Sequence, residues 1–341
     1  MQIIDALFVV LRRALWNNQE TIDISEEHFQ ELMDLAKAQT VSGLAFDGLK
    51  QMVVAGEIRV PKKVLFKWYA VQEKIQRNNL KVNQELEHFA CLCNDCQIGY
   101  AVVKGQTLGL CYPQPMDRMP GDIDFLIRDD YEIVRPQLEG TFQIHLPKTM
   151  LEKELSFKMN GVLFELHNRL MDFCTSKHLN YWENLIKQSW QNDDTVIIGE
   201  TAVRTLPPTL NAIYIFLHLF HHFMREGVGL RQFCDWAVFL HYHASKINGC
   251  QMKEVLRQLD LLDAAKAFGA ILVDEIGLPA SSLPFEIEDK DRKWKRKMLH
   301  DIIRGGNFGK QNHQAKTPWR YKLETLQLAL KNSIRYYSLS P

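Results

Sequence analysis

The stretch ELSFKMNGVLFELHNRL, residues 154–170, constrains the fold more than any other. Two runs alternate apolar and polar residues, and Asn160-Gly161 stands between them. That dipeptide suits the two positive-φ positions of a tight turn between antiparallel strands. A hairpin centred on 160–161 is therefore expected. In its second strand Val162, Phe164 and Leu166 share one face, and Glu165 and His167 share the other.

Two further strands are expected nearby. GYAVVKG, residues 99–105, is a short β-branched run ending at a glycine, followed by a short helix over QTLGLCY. DIDFLI, residues 122–127, comes after the proline-rich loop PQPMDRMPG. On a strand, Ile123, Phe125 and Ile127 face one way, and Asp122, Asp124 and Leu126 face the other. DDYEIVRPQLEG then reads as a helix that Pro136 bends or shortens.

Helices flank this region. SEEHFQELMDLAKAQTV opens with Ser25 as N-cap. A long helical stretch starts at Pro61 and stops near Gly99. From Pro207 to the end the pattern is helical, with a glycine-rich break at RGGNFGK, residues 304–310. The expected fold class is α+β. A helical region spans 1–97, a sheet-bearing core 98–205, and a second helical region 206–341.

Composition limits the chemistry only loosely. Lys and Arg number 41, as do Asp and Glu, so global charge favours neither nucleic acid nor anionic membrane. A local basic groove can still hide in such a balance. The most basic stretch, KDRKWKRK at 290–297, reads as a solvated helix face. The apolar run near the N-terminus is too short to span a bilayer, so no membrane insertion is expected. The seven cysteines are irregularly spaced and form no disulfide framework. A cytoplasmic protein is the expectation, with Cys91, Cys93 and Cys96 as ordinary thiols.

The chemistry gathers on the carboxylates. Asp122 and Asp124 point the same way, with Cβ atoms roughly 7 Å apart by strand rise. Like charges so close need a cation between them, and Mg²⁺ takes oxygen ligands and substrate phosphate. If the 162–167 strand lies beside 122–127, Glu165 completes a three-carboxylate set suited to phosphoryl or nucleotidyl transfer. Lys104-Gly105, with Thr107 two residues on, offers a phosphate turn opening a helix. Arg118 either binds phosphate or pairs with a neighbouring aspartate. His167 either positions substrate or acts as a base, or it orients a carboxylate, and the last role is preferred. His218 and His222 are spaced as in a zinc-peptidase helix. Leu219 stands where the catalytic glutamate would be, so a satisfied histidine pair is expected.

Lys104-Gly105, Arg118, Gly121-Asp122-Ile123-Asp124-Phe125-Leu126 and Glu165-Leu166-His167 together resemble the nucleotidyltransferases of the DNA polymerase β superfamily. The closer resemblance is to an uncharacterised bacterial branch with a KG…R…GDIDLL…ELH pattern, in which Asp235 also falls at a recurrent position. The resemblance implies a small mixed sheet with flanking helices. It implies two Mg²⁺ ions, or Mn²⁺, on Asp122, Asp124 and Glu165. An NTP, in the first instance ATP, would rest on Lys104, Gly105, Thr107, Arg118 and His167. The NMP would pass to a hydroxyl acceptor that the sequence does not name: protein, RNA end, sugar phosphate or small molecule. Most of the superfamily has Gly-Ser at the phosphate turn, whereas this chain has Lys104-Gly105-Gln106-Thr107. A similar turn occurs in abortive-infection toxin nucleotidyltransferases. The departure also suits an alternative, a catalytically inactive nucleotide- or partner-binding module on the same fold.

Overall fold

The computed structural model describes residues 1–150, 154–307 and 318–339. The chain forms two compact units. One comprises Met1–Ile75, Cys111–Met119 and Ile215–Pro341, and the other Gln76–Leu110 and Pro120–Tyr214. Among the described residues no helix is long and apolar enough to cross a membrane.

The first unit opens with α1 (Ile3–Trp16), α2 (His28–Ala38) and α3 (Ser42–Val54). Helix α2 begins two residues later than the Ser25 cap predicts, with Glu27 at the N-cap. Ser25 spends its hydroxyl on the Glu27 and His28 side chains, while its carbonyl accepts from the His28 N–H. The unit also holds the start of α4 (Lys62–Asp95), which follows Pro61 as expected. That helix ends four residues before Gly99. Gln97 takes the left-handed conformation at φ 56°, and the Ile98 N–H reaches back to the Cys93 carbonyl.

The second unit carries the sheet. Strand β1 (Tyr100–Val103) leads into the short helix α5 (Gly105–Gly109). Then come β2 (Ile123–Ile127), α6 (Tyr131–Phe142), β3 (Glu154–Met159), β4 (Val162–His167) and α7 (Ser176–Ser189). A ribbon of β5 (Thr195–Ile198) and β6 (Thr201–Arg204), not anticipated from the sequence, follows. A single parallel bridge from Val102 to Thr205 links the chain just past the ribbon to β1. Helix α6 runs through Pro136 to Phe142 rather than stopping there.

The main sheet has the order β1-β2-β4-β3. It is mixed: β1 and β3 run antiparallel to their neighbours, while β2 and β4 are parallel. The β3–β4 hairpin turns at Asn160 (φ 48°) and Gly161 (φ 79°), the two residues the sequence singles out. One sheet face is apolar. Tyr100, Val102, Ile123, Phe125, Val162, Phe164 and Leu166 bury it against Val82, Leu86, Phe89, Ala90 and Cys93 of α4. Phe89 is the hub. Its ring lies 4.6 Å from that of Phe125, 5.2 Å from Phe142, and 5.4 Å from both Tyr100 and Phe164. The polar residues of β2 and β4 are thereby forced onto the opposite face.

Beyond the sheet, α8 (Pro208–Arg225) continues into the first unit, which then adds α9 (Leu230–Tyr242), α10 (Gly249–Gln258) and α11 (Leu262–Ile271). The short α12 (Asp289–Arg292), then α13 (Lys295–Gly305) and α14 (Pro318–Arg335), complete it. Phe216, Phe233, Trp236 and Phe268 form its aromatic core, with Phe233 and Phe268 stacked at 5.5 Å. His218 and His222 pair as expected, Nε2 to Nε2 at 3.0 Å.

Because Phe89 alone touches four of the rings behind the sheet, Phe89→Ala should cost about 3–5 kcal/mol by transfer and cavity terms. Urea unfolding should show this as a lower midpoint with an unchanged slope. A loss under about 1 kcal/mol would mean that α4 is not what holds this sheet face.

Candidate active site

Strand register brings the carboxylates together. Parallel pairing of β2 with β4 sets Asp124 opposite Glu165 and Leu126 opposite His167. Side chains alternate, so Asp124, Glu165 and His167 all rise from the face that α4 leaves uncovered. Ligand atoms of these three residues lie within 4.8 Å of one another. His167 Nε2 sits 2.8 Å from Asp124 Oδ1, and its Nδ1 is 3.6 Å from Glu154 Oε2.

Asp122 lies one residue outside β2, in the half-buried loop before it. Its charge still reaches the cluster, acting on both Lys104 and Glu165.

The turn after β1 contributes a cation. Lys104 Nζ lies 3.1 Å from Asp124 Oδ1 and 5.6 Å from the centre of the Tyr214 ring. The Lys104 backbone adopts φ 58°, ψ −149°. That region is almost reserved for glycine and costs about 1–3 kcal/mol elsewhere. Gly105 follows at φ 52°. Three side-chain bonds hold this turn. The Thr107 hydroxyl donates to the Lys104 carbonyl at 2.7 Å, so it serves the turn itself. The Gln106 amide donates to Asn79 Oδ1 at 3.2 Å and also bonds Asn83 Oδ1, which ties the turn to α4.

Electrostatics divide the carboxylates. Burial disfavours charge on Asp124, but Lys104 and His167 outweigh it and bring its pKa down to about 2. Glu165 has no such partner at close range. Burial, together with Asp122, Asp124 and Glu154, pushes it up to about 7. Lys104 is shifted upward, since Asp124, Tyr214 and Asp122 overcome the cost of burying its ammonium.

Arg118 belongs to the other compact unit. There its Nε and Nη2 donate to Asp235 Oδ1 and Oδ2 at 2.7 and 2.9 Å, and Tyr112 Oη donates to Oδ1 at 2.7 Å. The sequence thus flags both ends of a buried ion pair without linking them.

Two participants escape the sequence reading. Tyr214 looks like one more residue of an apolar helix stripe, yet it is fully buried beside Lys104. Glu154 was legible in principle. A two-residue turn pairs Met159 with Val162 and, counting outward, Glu154 with His167.

As for known proteins, no curated protein matches this chain. A crystal structure described as an antigenic nucleotidyltransferase-like protein from Paracoccidioides brasiliensis is similar at 15% identity. The match covers 58% of this chain and 92% of that one, with a TM-score of 0.37. The family model for "Uncharacterised nucleotidyltransferase" matches residues 25–274, most of the chain. This chain therefore belongs to the uncharacterised nucleotidyltransferase family.

Proposed function

We propose that this chain moves a nucleoside monophosphate from an NTP, ATP in the first instance, to a hydroxyl acceptor with the help of divalent metal. The observation that carries the reading is the register of Asp124 against Glu165 on adjacent parallel strands, on the sheet face opposite α4. Asp122, Asp124 and Glu165 would hold the metal, and His167 stands within the same cluster. The donor set fits a cation. Burial, with the neighbouring carboxylates adding to it, pushes Glu165 to about 7, and oxygen donors beside an imidazole suit Mn²⁺ as well as Mg²⁺. When bound, such a metal supplies charge neutralisation at the phosphates and acidifies the attacking hydroxyl.

The chain's own residues do the rest. Lys104 turns from Asp124 to the triphosphate, and the Gly105 turn lets backbone N–H groups approach phosphate oxygens. Thr107 and Gln106 keep that turn in shape. His167 fixes the orientation of Asp124. The acceptor oxygen attacks the α-phosphorus, the bond to the bridging oxygen of the β-phosphate breaks, and pyrophosphate leaves. The acceptor proton passes to a carboxylate of the cluster, Asp124 or Glu165. Arg118 enters the reading as the anchor of segment 111–119 through Asp235.

One observation favours a second reading, a non-catalytic nucleotide-binding module. Lys104 already supplies Asp124 with a cation from within the chain.

The two readings part in a pyrophosphate-release assay with each NTP, in Mg²⁺ and in Mn²⁺, over a panel of acceptors. Turnover that falls on the order of 10³-fold in Asp122→Asn, and again in Asp124→Asn, is expected from the loss of several kcal/mol of transition-state stabilisation. Asp122 is half-buried, so its variant should keep the wild-type melting curve. Nucleotide binding without pyrophosphate release under every condition would leave the second reading.

The raised pKa of Glu165 also predicts a pH dependence of stability without metal. A carboxyl whose folded pKa lies above its unfolded value adds stability that is fully present below the unfolded value, about 4.5. That stability is lost as pH rises through the folded value, about 7. Glu165→Gln removes this loss. With EDTA present, the variant should exceed wild type at pH 8 by on the order of 1 kcal/mol, after discounting for its partial exposure. At pH 4 the gap should close. Equal stabilities at pH 8 would show that Glu165 is not held near neutral.

A further inference from the structure

The neutral chain is the sum of two opposite parts. Residues 290–341 contain thirteen Lys and Arg against three Asp and Glu, a net charge of +10. The preceding 289 residues therefore carry −10. An asymmetry of this size points to a polyanionic partner.

The charge has a structure. Lys293, Arg296, His300 and Arg304 follow one another at spacings of three or four along α13 and the turn before it, and all four are exposed. At 1.5 Å per residue the row runs about 16 Å. Beside it lies a cavity of about 300 Å³, lined among others by His300, Asp301, Arg304, Lys331, Asn332 and Arg335. Its one lining carboxylate is already engaged. Asp301 Oδ2 accepts from Tyr336 Oη at 2.7 Å and pairs with Arg335 Nε at 3.1 Å, while Oδ1 faces His300 Nδ1 at 3.3 Å. Arg304 and Lys331 have no carboxylate partner among the described residues.

The surroundings are pre-organised. Lys297 Nζ lies 5.2 Å from the Trp294 ring centre and 5.0 Å from that of Tyr336, and it donates to the Arg335 carbonyl at 2.9 Å. Lys293 lies over Trp294 at 5.3 Å. Cation–π contacts hold these ammoniums in place, so less side-chain entropy is lost when an anion arrives.

We propose that α13 and α14 form a binding site for the phosphate backbone of single-stranded nucleic acid. A single small anion would fill the cavity and leave the row idle, whereas a row of cations leading out of a cavity matches a row of phosphates. An anionic membrane fits less well. The exposed apolar residues of α14, Leu326, Leu330 and Ile334, fall on the side opposite Lys331, Asn332 and Arg335 at 3.6 residues per turn. A bilayer seated on that stripe would leave the cavity unfilled.

The test is fluorescence anisotropy of the full chain with labelled 20-nucleotide RNA, and with DNA of the same sequence, in EDTA and without NTP. It therefore reads this site whether or not the chain transfers nucleotides. Binding at 50 mM KCl should weaken with salt at a log–log slope of about −3, as for four released counterions on a single strand. Arg304→Gln/Lys331→Gln should lose at least tenfold in affinity, with a slope shallower by about 1.4. Both positions are exposed, and an unchanged melting curve verifies the fold. Lys62→Gln/Lys63→Gln, an equal charge loss at the exposed start of α4, should bind as wild type. A preference between the RNA and DNA arms names the source of the strand. The proposal is overturned by absent binding at 50 mM KCl, or by equal losses in the two double variants. It also fails if inorganic phosphate at low millimolar concentration displaces the strand completely. Capture by anionic vesicles that depends on Leu330 and Ile334, with no strand binding, would assign the surface to membrane instead.

Discussion

The parallel pairing of β2 with β4 is the constraint on which the candidate site depends. Those two strands are neither consecutive nor joined by a hairpin, yet their register alone sets Asp124 opposite Glu165. A slip of one residue would turn Phe164 and Leu166 toward solvent and move both Glu165 and His167 behind the sheet. The aromatic hub at Phe89 resists that slip, because it packs Phe125 of β2 and Phe164 of β4 at once. The apolar face thus specifies the polar one. The carboxylates lie together because the phenylalanines on the other side of the same strands must.

Crowding carboxylates is costly, and the chain offsets the cost unevenly. Asp124 receives Lys104 and His167 and stays ionised, while Glu165 is left to burial and like charge. Lys104 reaches Asp124 from a backbone conformation that few non-glycine residues adopt. Such strain persists only where the surroundings over-determine it. Here Thr107 closes the turn from within, Gln106 ties it to α4, and Tyr214 lies under the ammonium. The arrangement leaves one acidic oxygen cluster partly unneutralised, with Lys104 at its edge.

Much of this was legible in the sequence, for reasons that differ by element. Period-two alternation fixed which residues of 122–127 and 162–167 share a face, and Asn160-Gly161 fixed the hairpin turn. What alternation could not supply was the neighbour of β2, since parallel pairing leaves no turn between the partners to read. The start of β2 at Ile123 was blurred for a similar reason. Asp122 continues the alternation although it lies in the loop. Ser25 misled because its hydroxyl found the Glu27 and His28 side chains before it could cap a helix N–H. Arg118 and Asp235 were each visible, but a buried pair more than a hundred residues apart in sequence leaves no local pattern.

Net charge misled for a related reason. A sum over the whole chain treats charges as interchangeable, whereas their effect on a partner decays within about 8–10 Å at physiological salt. An approaching polyanion at α13 therefore meets the exposed Lys293, Arg296 and Arg304 first, whatever the sum over the chain. The converse holds at the sheet. Asp122, Asp124 and Glu154 crowd Glu165 there, and Lys104 is the cation that opposes them. The local charges thus differ in sign, carboxylates at the sheet and exposed cations along α13, as the two proposals require.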